Sequence, residues 1–318
     1  MMSAVVTDLA KLPGVQVITT WDDTLGPAPF LELPGMEVER VRGNVDGPPT
    51  FEQLLNRADA ALVIAPEFDG ILEHETEFFR QSGLRIANAT REAIRLCADK
   101  LALASHLRSS GIDTIPTVLF TDMMPWPDCV VKRRDGAGSQ EMARLQTEAD
   151  CFDWRNSHRP DRFVIQPFCA GQPVSVGAVY RNDRLLALFP VVEQRLTDDG
   201  QFRYLGGKLP PDGWSAEQEH AVCDLVSMAG RTIPGLHGYV GFDLIWTPER
   251  GPVLVEINTR LTTGVIGYRE LFREEVARQI HACLTADSEV PPIRFEFDRG
   301  RHDGIDFHAD GMIGTGVT

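Results

Sequence analysis

The 318-residue sequence has no patterned cysteines. Its six cysteines are scattered singly between residues 97 and 283, and no two of them form a CxxC pair. None stands beside a histidine pair at zinc-ligand spacing, which argues against a structural zinc site. Scattered thiols in a chain of this size suit a reducing compartment better than a disulfide scaffold. We therefore expect a cytoplasmic protein.

Long apolar runs and an excess of positive charge are also absent. The longest apolar runs, such as LLALF at 185–189, fall far short of the ~20 residues that a membrane-spanning helix needs. No basic-then-apolar leader opens the chain. With a net charge of −15, neither nucleic acid nor an anionic membrane is expected as a partner. A small anionic ligand stays compatible, because local basic groups decide that case.

Helical and strand-like patterns alternate over residues 1–88. The opening MMSAVVTDLA has helical spacing and is followed by β-rich runs at VQVITT, VERVR and AALVIAP, with a further helical pattern at 72–81. This alternation predicts a small α/β domain. Such a domain normally opens with a strand, so either the chain starts late or the protein does without its first strand.

Polar side chains occupy alternate positions of the stretch GPVLVEINTR, at Glu256, Asn258 and Arg260. In a strand these three side chains share one face. Asp243 lies inside another apolar run, GFDLIW, and a hairpin between the two strands would bring it near Glu256. Buried carboxylates need partners, and three oxygen ligands on a rigid sheet suit Mg²⁺. A buried ion pair between Glu256 and Arg260 is the alternative.

A second candidate is VVKRRDGAGSQ, where a predicted strand containing Lys132 runs into a loop with Gly136 and Gly138. Such glycines let backbone N–H groups turn toward a phosphate, and a lysine adds a positive charge. A plain β-hairpin explains the same pattern, and the loop is not a Walker motif. Lys100 in ADKLAL, at a helix start, is a further basic candidate, although a lysine there is usually solvated. The helical pattern around it extends over 88–110, with a stop at Gly111.

The order of five motifs resembles that of the ATP-grasp carboxylate–amine ligases. ADK, VVKRRDGAGS, FVIQPFCAG, GFDLIW and VEINTR follow one another between residues 88 and 285. The resemblance implies an α/β and α+β fold: an N-terminal α/β domain at 1–88 and two α+β subdomains, at 89–168 and 169–300, that clamp ATP. Residues 301–318, rich in Gly, Asp and His, are expected to form a loosely held tail.

The resemblance also implies a role for each candidate residue. The implied ATP-binding residues are Lys100, Lys132, Gly136, Ala137, Gly138, Ser139, Gln166, Pro167 and Phe168. Apart from the resemblance, Lys208 in the basic stretch QRLTDDGQFRYLGGK is a candidate for a phosphate contact, and an exposed mixed-charge hairpin is the alternative. The implied ligands of one or two Mg²⁺ ions, or of Mn²⁺, are Asp243, Glu256 and Asn258. Arg260 is the implied catalytic residue, which stabilises charge on the transferred phosphoryl group. No acid stands in AGQPVS after the linker, which leaves the ribose contact in doubt.

The segments DLAKLPGVQV, YLGGKLP and EINTRLTT look most like one subgroup, the tyramine–glutamate ligases of methanofuran synthesis and their bacterial relatives in one-carbon metabolism. This likeness implies an acyl phosphate of glutamate that an amine or a growing glutamyl chain attacks, with Thr262, Thr263 and Gly264 near the acceptor. A homodimer is a family expectation. The alternatives are a ligase for another amino acid, such as a D-alanine type, and a non-catalytic ATP-binding protein on the same fold.

Overall fold

The computed structural model describes residues 1–28, 33–41, 54–121, 124–136, 141–285, 291–298, 300 and 304–314. Its first part alternates helices with short strands, as the sequence predicts. The elements are α1 (Met2–Ala10), β1 (Val17–Asp22), β2 (Met36–Val41), β3 (Ala60–Ala61), α2 (Ile71–Gln81) and β4 (Arg85–Ile86). β1 pairs with β2 and β3 with β4, and both pairs are parallel.

The central part combines three helices with a four-stranded antiparallel sheet. The helices are α3 (Arg91–Ala98), α4 (Lys100–Ser109) and α5 (Glu148–Ser157). The strands are β5 (Val118–Leu119), β6 (Cys129–Arg133), β7 (Met142–Leu145) and β8 (Phe163–Pro167), in the order β5-β8-β6-β7. Apolar side chains of the sheet and of α5 form a separate small core, which includes Val131, Cys151 and Ile165.

The helical pattern predicted over 88–110 is divided into two helices at Asp99, and Lys100 stands at a helix start, as expected from ADKLAL. The backbone of Asp99 is extended (φ −88°, ψ 98°), and its carboxylate accepts the amides of Leu101 and Ala102, each at 3.1 Å. These bonds satisfy the first free amides of a new helix, so α4 starts at Lys100. Lys100 is thereby placed at a helix N-terminus, where backbone amides favour anions.

A nine-stranded sheet forms the C-terminal half. Its strands are β9 (Gln172–Arg181), β10 (Arg184–Leu188), β11 (Val192–Leu196), β12 (Tyr204–Leu209), β13 (Gly238–Thr247), β14 (Gly251–Asn258), β15 (Ile293–Arg294), β16 (Ile305–His308) and β17 (Ile313–Gly314). The main order is β14-β13-β9-β11-β12-β16-β17, and β10 joins β9 to β15. The helices α6 (Ala216–Thr232), α7 (Gly264–Phe272) and α8 (Glu275–Thr285) pack against this sheet.

The expectation of a loose tail is wrong for residues 305–308. They form β16, which pairs antiparallel with β12. Phe307 is 2% exposed and packs in the core beneath α7. Gly206 and Gly207 permit this approach, because a Cβ at Gly206 would lie 2.0 Å from the carbonyl oxygen of Phe307. The segment 305–308 has only four residues, so its apolar alternation is too brief to predict a strand from the sequence alone.

No helix in the described ranges is both long enough and apolar enough to span a bilayer. The predicted domain boundaries after residues 88, 168 and 300 stay predictions.

Phe307→Ala should lower the free energy of unfolding by about 3 kcal/mol, because it leaves a cavity under α7 and removes the anchor of β16. Met312→Ala is a matched control, since Met312 is 65% exposed in the same terminal segment. Urea unfolding followed by circular dichroism measures both variants. Equal effects of the two substitutions would show that β16 does not contribute to the sheet's stability.

Candidate functional site

The hairpin formed by β13 and β14 brings the predicted acidic residues together. Asp243 lies directly opposite Glu256, and Gly241 lies opposite Asn258. The register shifts between Asp243 and Leu244, so a β-bulge follows the acid. Asp243 accepts hydrogen bonds from Asn258 Nδ2 at 2.8 Å and from Gln194 Nε2 at 2.7 Å. The acids and the amide thus form one polar face, as the alternation in VEIN predicts.

Two lysines from the central part face this pair of carboxylates. Lys100 Nζ lies 3.4 Å and Lys132 Nζ 3.9 Å from Glu256 Oε2. Both lysines are more than nine-tenths buried. Lys100 also donates to the carbonyl of Gly136 at 2.6 Å, at the start of the glycine loop. The two lysines and the metal-ligand candidates therefore converge across the two sheets.

Charge and burial act in opposite directions on these groups. Burial and the neighbouring Glu256 raise the pKa of Asp243 well above its usual range. Burial would also raise the pKa of Glu256, but the charges of Lys100, Lys132 and Arg260 hold it below its usual range. Burial lowers the pKa of Lys132 to about 8, although Glu256 opposes that shift. The site has the charge pattern of a nucleotide and metal cleft.

A divalent cation fits this donor set. Two partly buried carboxylates lie opposite each other, and the cation would relieve the repulsion from Glu256 that adds to the effect of burial in raising the pKa of Asp243. The amide of Asn258 adds a third oxygen. In the described ranges, no cluster of three or more Asp, Glu, His or Cys side chains could hold a metal alone. Phosphate oxygens of a nucleotide would therefore have to complete the coordination, as is usual for Mg²⁺.

Arg260 does not form the ion pair with Glu256 that the alternative interpretation requires. Its Nε donates to Glu67 Oε2 at 2.5 Å, and Nη2 donates to Asn258 Oδ1 at 3.3 Å. Burial alone would lower the pKa of Arg260, but Glu67 raises it. Glu67 was missed in the sequence, where the available signal is an acid that directly follows the apolar run ALVIAP.

The clustered residues line a cavity of about 950 Å³ between the central sheet and the large sheet. Predicted residues that line it are Lys100, Lys132, Gly136, Gln166, Pro167, Phe168, Asp243, Glu256, Asn258, Arg260, Thr262, Thr263 and Gly264. Ala137, Gly138 and Ser139 lie outside the described residues. The cavity wall also contains Glu193 on β11, an acid that the sequence analysis did not single out. The structure thus gathers nearly all the described candidates around one cavity.

The linker forms one end of the cavity. Gln166 Nε2 donates to Thr117 Oγ1 at 2.7 Å. The guanidinium carbon of Arg144 lies 3.7 Å from the ring centroid of Phe168, and Phe202 stacks on that ring at 6.1 Å. These contacts create a flat, apolar wall of the kind that suits a purine ring.

Lys208 is placed apart from the other candidates. It does not line the cavity, and its ammonium group pairs with Asp212. Its ATP-binding role stays a prediction. Thr262, which lines the cavity, has its Oγ1 3.1 Å from the Tyr239 hydroxyl, and this contact fixes the segment before α7. The acceptor role of that segment also stays a prediction.

Comparison with known families and structures agrees with this geometry. A model of the ATP-grasp domain matches residues 97–264, just over half of the chain, and a model of the pre ATP-grasp 3 domain matches residues 15–94. An ATP-grasp superfamily protein from Archaeoglobus fulgidus superposes with a TM-score of 0.61 and 26% identity, covering 80% of this chain and 72% of the other. The chain belongs to the ATP-grasp family.

The match confirms the predicted fold and the predicted class of enzyme, an ADP-forming carboxylate–amine ligase that uses ATP. The chain is similar to two archaeal tyramine–L-glutamate ligases. The one from Methanocaldococcus jannaschii is 24% identical over 242 residues, which are 76% of this chain and 68% of the relative. The one from Methanocaldococcus fervens is 25% identical over 213 residues, which are 67% of this chain and 62% of the relative.

Lys132→Ala should weaken ATP binding about 10- to 100-fold, because a buried ammonium group facing the cleft is lost. Lys11→Ala serves as the control, since Lys11 forms only half-exposed ion pairs with Asp8 and Glu274. Titration calorimetry with ATP measures the affinity of both variants. If the affinity for ATP is unchanged after Lys132→Ala, Lys132 does not contribute to nucleotide binding.

Proposed function

We propose that this ligase activates the carboxylate of glutamate and joins it to an amine, as one step in building the glutamyl side chain of a methanofuran-type cofactor. The amine belongs either to a tyramine-like molecule or to an existing glutamyl chain. The observation that carries the proposal is the convergence of Lys100, Lys132, Asp243, Glu256 and Arg260 on one cavity. The printed names of the two archaeal relatives support glutamate as the acid.

The residues of the central part bind the nucleotide in this proposal. Lys100 and Lys132 present their ammonium groups to the cavity, so the phosphates of ATP and Glu256 share the same two positive charges. Phe168, backed by the guanidinium of Arg144, provides the wall against which the adenine stacks. Mg²⁺, held by Asp243, Glu256 and Asn258, would neutralise charge on the phosphates.

The reaction proceeds in two displacements. A carboxylate oxygen of glutamate attacks the γ-phosphorus of ATP, the bond to the β-phosphate oxygen breaks, and ADP and an acyl phosphate result. The amine nitrogen then attacks the acyl carbon, loses a proton, and inorganic phosphate leaves with the electrons of the C–O bond. The protein forms no covalent bond, so positioning and charge stabilisation account for its contribution.

Arg260 and the segment after it act on the reacting atoms. The guanidinium lies beside the acid pair and lines the cavity, so it can stabilise the phosphoryl oxygens and the oxyanion of the tetrahedral intermediate. Thr262 and Thr263 offer hydroxyls, and Gly264 exposes its backbone, where the amine would approach. In this proposal the acyl donor and the acceptor meet beside Arg260, Thr262 and Thr263.

The substrate proposal predicts ADP release that requires glutamate, an amine and Mg²⁺. Release is measured with each of the twenty amino acids, alone and paired with tyramine-like amines or glutamyl peptides, with and without EDTA. We expect the highest rate for glutamate paired with an amine. Equal rates without glutamate would exclude it as the substrate, and ATP binding without ADP formation across the panel would favour a non-catalytic binding protein.

Arg260→Ala should lower kcat by about 10³-fold and leave the dissociation constant of ATP within a few-fold, because the guanidinium acts mainly in the transition state. Steady-state kinetics and calorimetry give the two quantities. Arg269→Ala is the matched control, since Arg269 lies on α7 and pairs with Asp8, away from the cavity. Normal turnover by Arg260→Ala would contradict the assigned role.

A further inference from the structure

We propose that Glu67 is a positioning residue for Arg260, through which the N-terminal part of the chain completes the ligase site. The proposal rests on the function proposed above, which assigns Arg260 to the transferred phosphoryl group. Glu67 follows β3 and stands 193 positions before Arg260. It is 6% exposed, and its Oε2 accepts the Nε–H of Arg260 at 2.5 Å.

The contacts of Arg260 leave part of its guanidinium available for a ligand. Of its five N–H groups, one is used by Glu67, one by the carbonyl of Leu261 at 3.1 Å and one by Asn258 Oδ1 at 3.3 Å. Within the described ranges this leaves one N–H on each terminal nitrogen. Glu67 therefore binds the base of the fork and leaves donors at its tip, which lines the cavity.

Glu67 competes with Asp243 and Glu256 for the guanidinium group of Arg260. Arg260 is also attracted by Glu256 and by Asp243, although its closest carboxylate contact is with Glu67. Without Glu67, the guanidinium would be drawn toward the acids that are proposed to hold Mg²⁺. The charge that should meet the phosphoryl oxygens would then be neutralised within the protein. Glu67 thus keeps the arginine away from the carboxylates of Asp243 and Glu256, while Arg260 retains its contact with Asn258.

The segment that carries Glu67 is itself anchored on the central part. The amide of Gly70 donates to the Glu67 carbonyl at 3.3 Å, which closes a tight turn. Two residues after Glu67, the amide of Asp69 donates to Asp135 Oδ2 at 3.0 Å, and Arg162 donates to Asp69 Oδ1 at 2.8 Å. Asp135 lies just after β6, the strand that carries Lys132, and Arg162 lies just before β8. These contacts therefore fix Glu67 relative to the central sheet that lines the cavity.

The second carboxylate oxygen of Glu67 argues against a purely structural role. Oε1 is buried and has no hydrogen-bond partner in the part of the chain that the structure describes. A buried oxygen without a partner lowers stability, so such a group in a native fold calls for an explanation. A carboxylate retained to orient one guanidinium provides that explanation.

A mutant cycle tests the proposal. Glu67→Gln should lower kcat about 100-fold and leave the KM for ATP within threefold, because the fork moves while the lysines stay in place. In an Arg260→Lys background, which lacks the guanidinium, the same substitution should reduce kcat by less than threefold. Losses that multiply in the double variant would show that Glu67 does not act through Arg260, and would overturn the proposal.

Glu73→Gln is the matched control for loss of a partly buried, arginine-paired acid. Glu73 lies on α2 of the same N-terminal part, with its side chain 12% exposed and paired with Arg91 and Arg95, away from the cavity. We expect a lowered melting temperature with unchanged kcat. A fall in kcat equal to that of Glu67→Gln would mean that any weakening of the N-terminal part has this effect, which would also overturn the proposal.

The mutant cycle can be run with any acid and amine that yield ADP, since it does not need glutamate. A failure of the substrate proposal is therefore distinguishable from a failure of the proposal for Glu67. If none gives ADP, the readout is hydrogen exchange of the Arg260 Nε–H, followed by ¹⁵N NMR. Glu67→Ala should speed this exchange about tenfold, whereas Glu73→Gln should leave it unchanged. Equal exchange in wild type and Glu67→Ala would show that Glu67 does not hold the guanidinium.

Discussion

Two partly buried carboxylates, Asp243 and Glu256, lie opposite each other on one hairpin, and the rest of the site depends on the positive charges that offset them. Those charges come from the central part of the chain, from Lys132 on β6 and from Lys100 at the start of α4. A carboxylate withdrawn from water without a partner is unfavourable, so these charge pairs help to hold the central part against the large sheet. The same lysines are the ones proposed to bind the phosphates of ATP.

The N-terminal part also contacts this site. Through Glu67 it binds Arg260, which follows β14, and through Asp69 it binds Asp135 in the central part. One turn therefore contacts both parts of the chain that line the cavity. Family models match the N-terminal part and the clamp as separate regions, at 15–94 and 97–264. The ion pair between Glu67 and Arg260 nevertheless joins the two regions, so the N-terminal part contributes a residue to the polar cluster of the site.

Short-range patterns in the sequence predicted the strands of the site. The alternation in VEIN placed Glu256 and Asn258 on one face, and GFDLIW was correctly paired with it. The helix start at Lys100 was expected from ADKLAL, but the end of the preceding helix inside the pattern of 88–110 was not. A capping acid competes with a helical pattern only through two backbone amides.

The sequence alone determined the strand pattern, because alternation along the chain shows which side chains share a face. It also contained the ordered motifs whose resemblance to the ATP-grasp ligases implied the family. Only the tertiary structure decided which charges meet. It paired Arg260 with Glu67 instead of Glu256, set Lys208 outside the cavity and drew Phe307 into the sheet. Such contacts join residues up to 193 positions apart, and no local pattern encodes a partner at that distance.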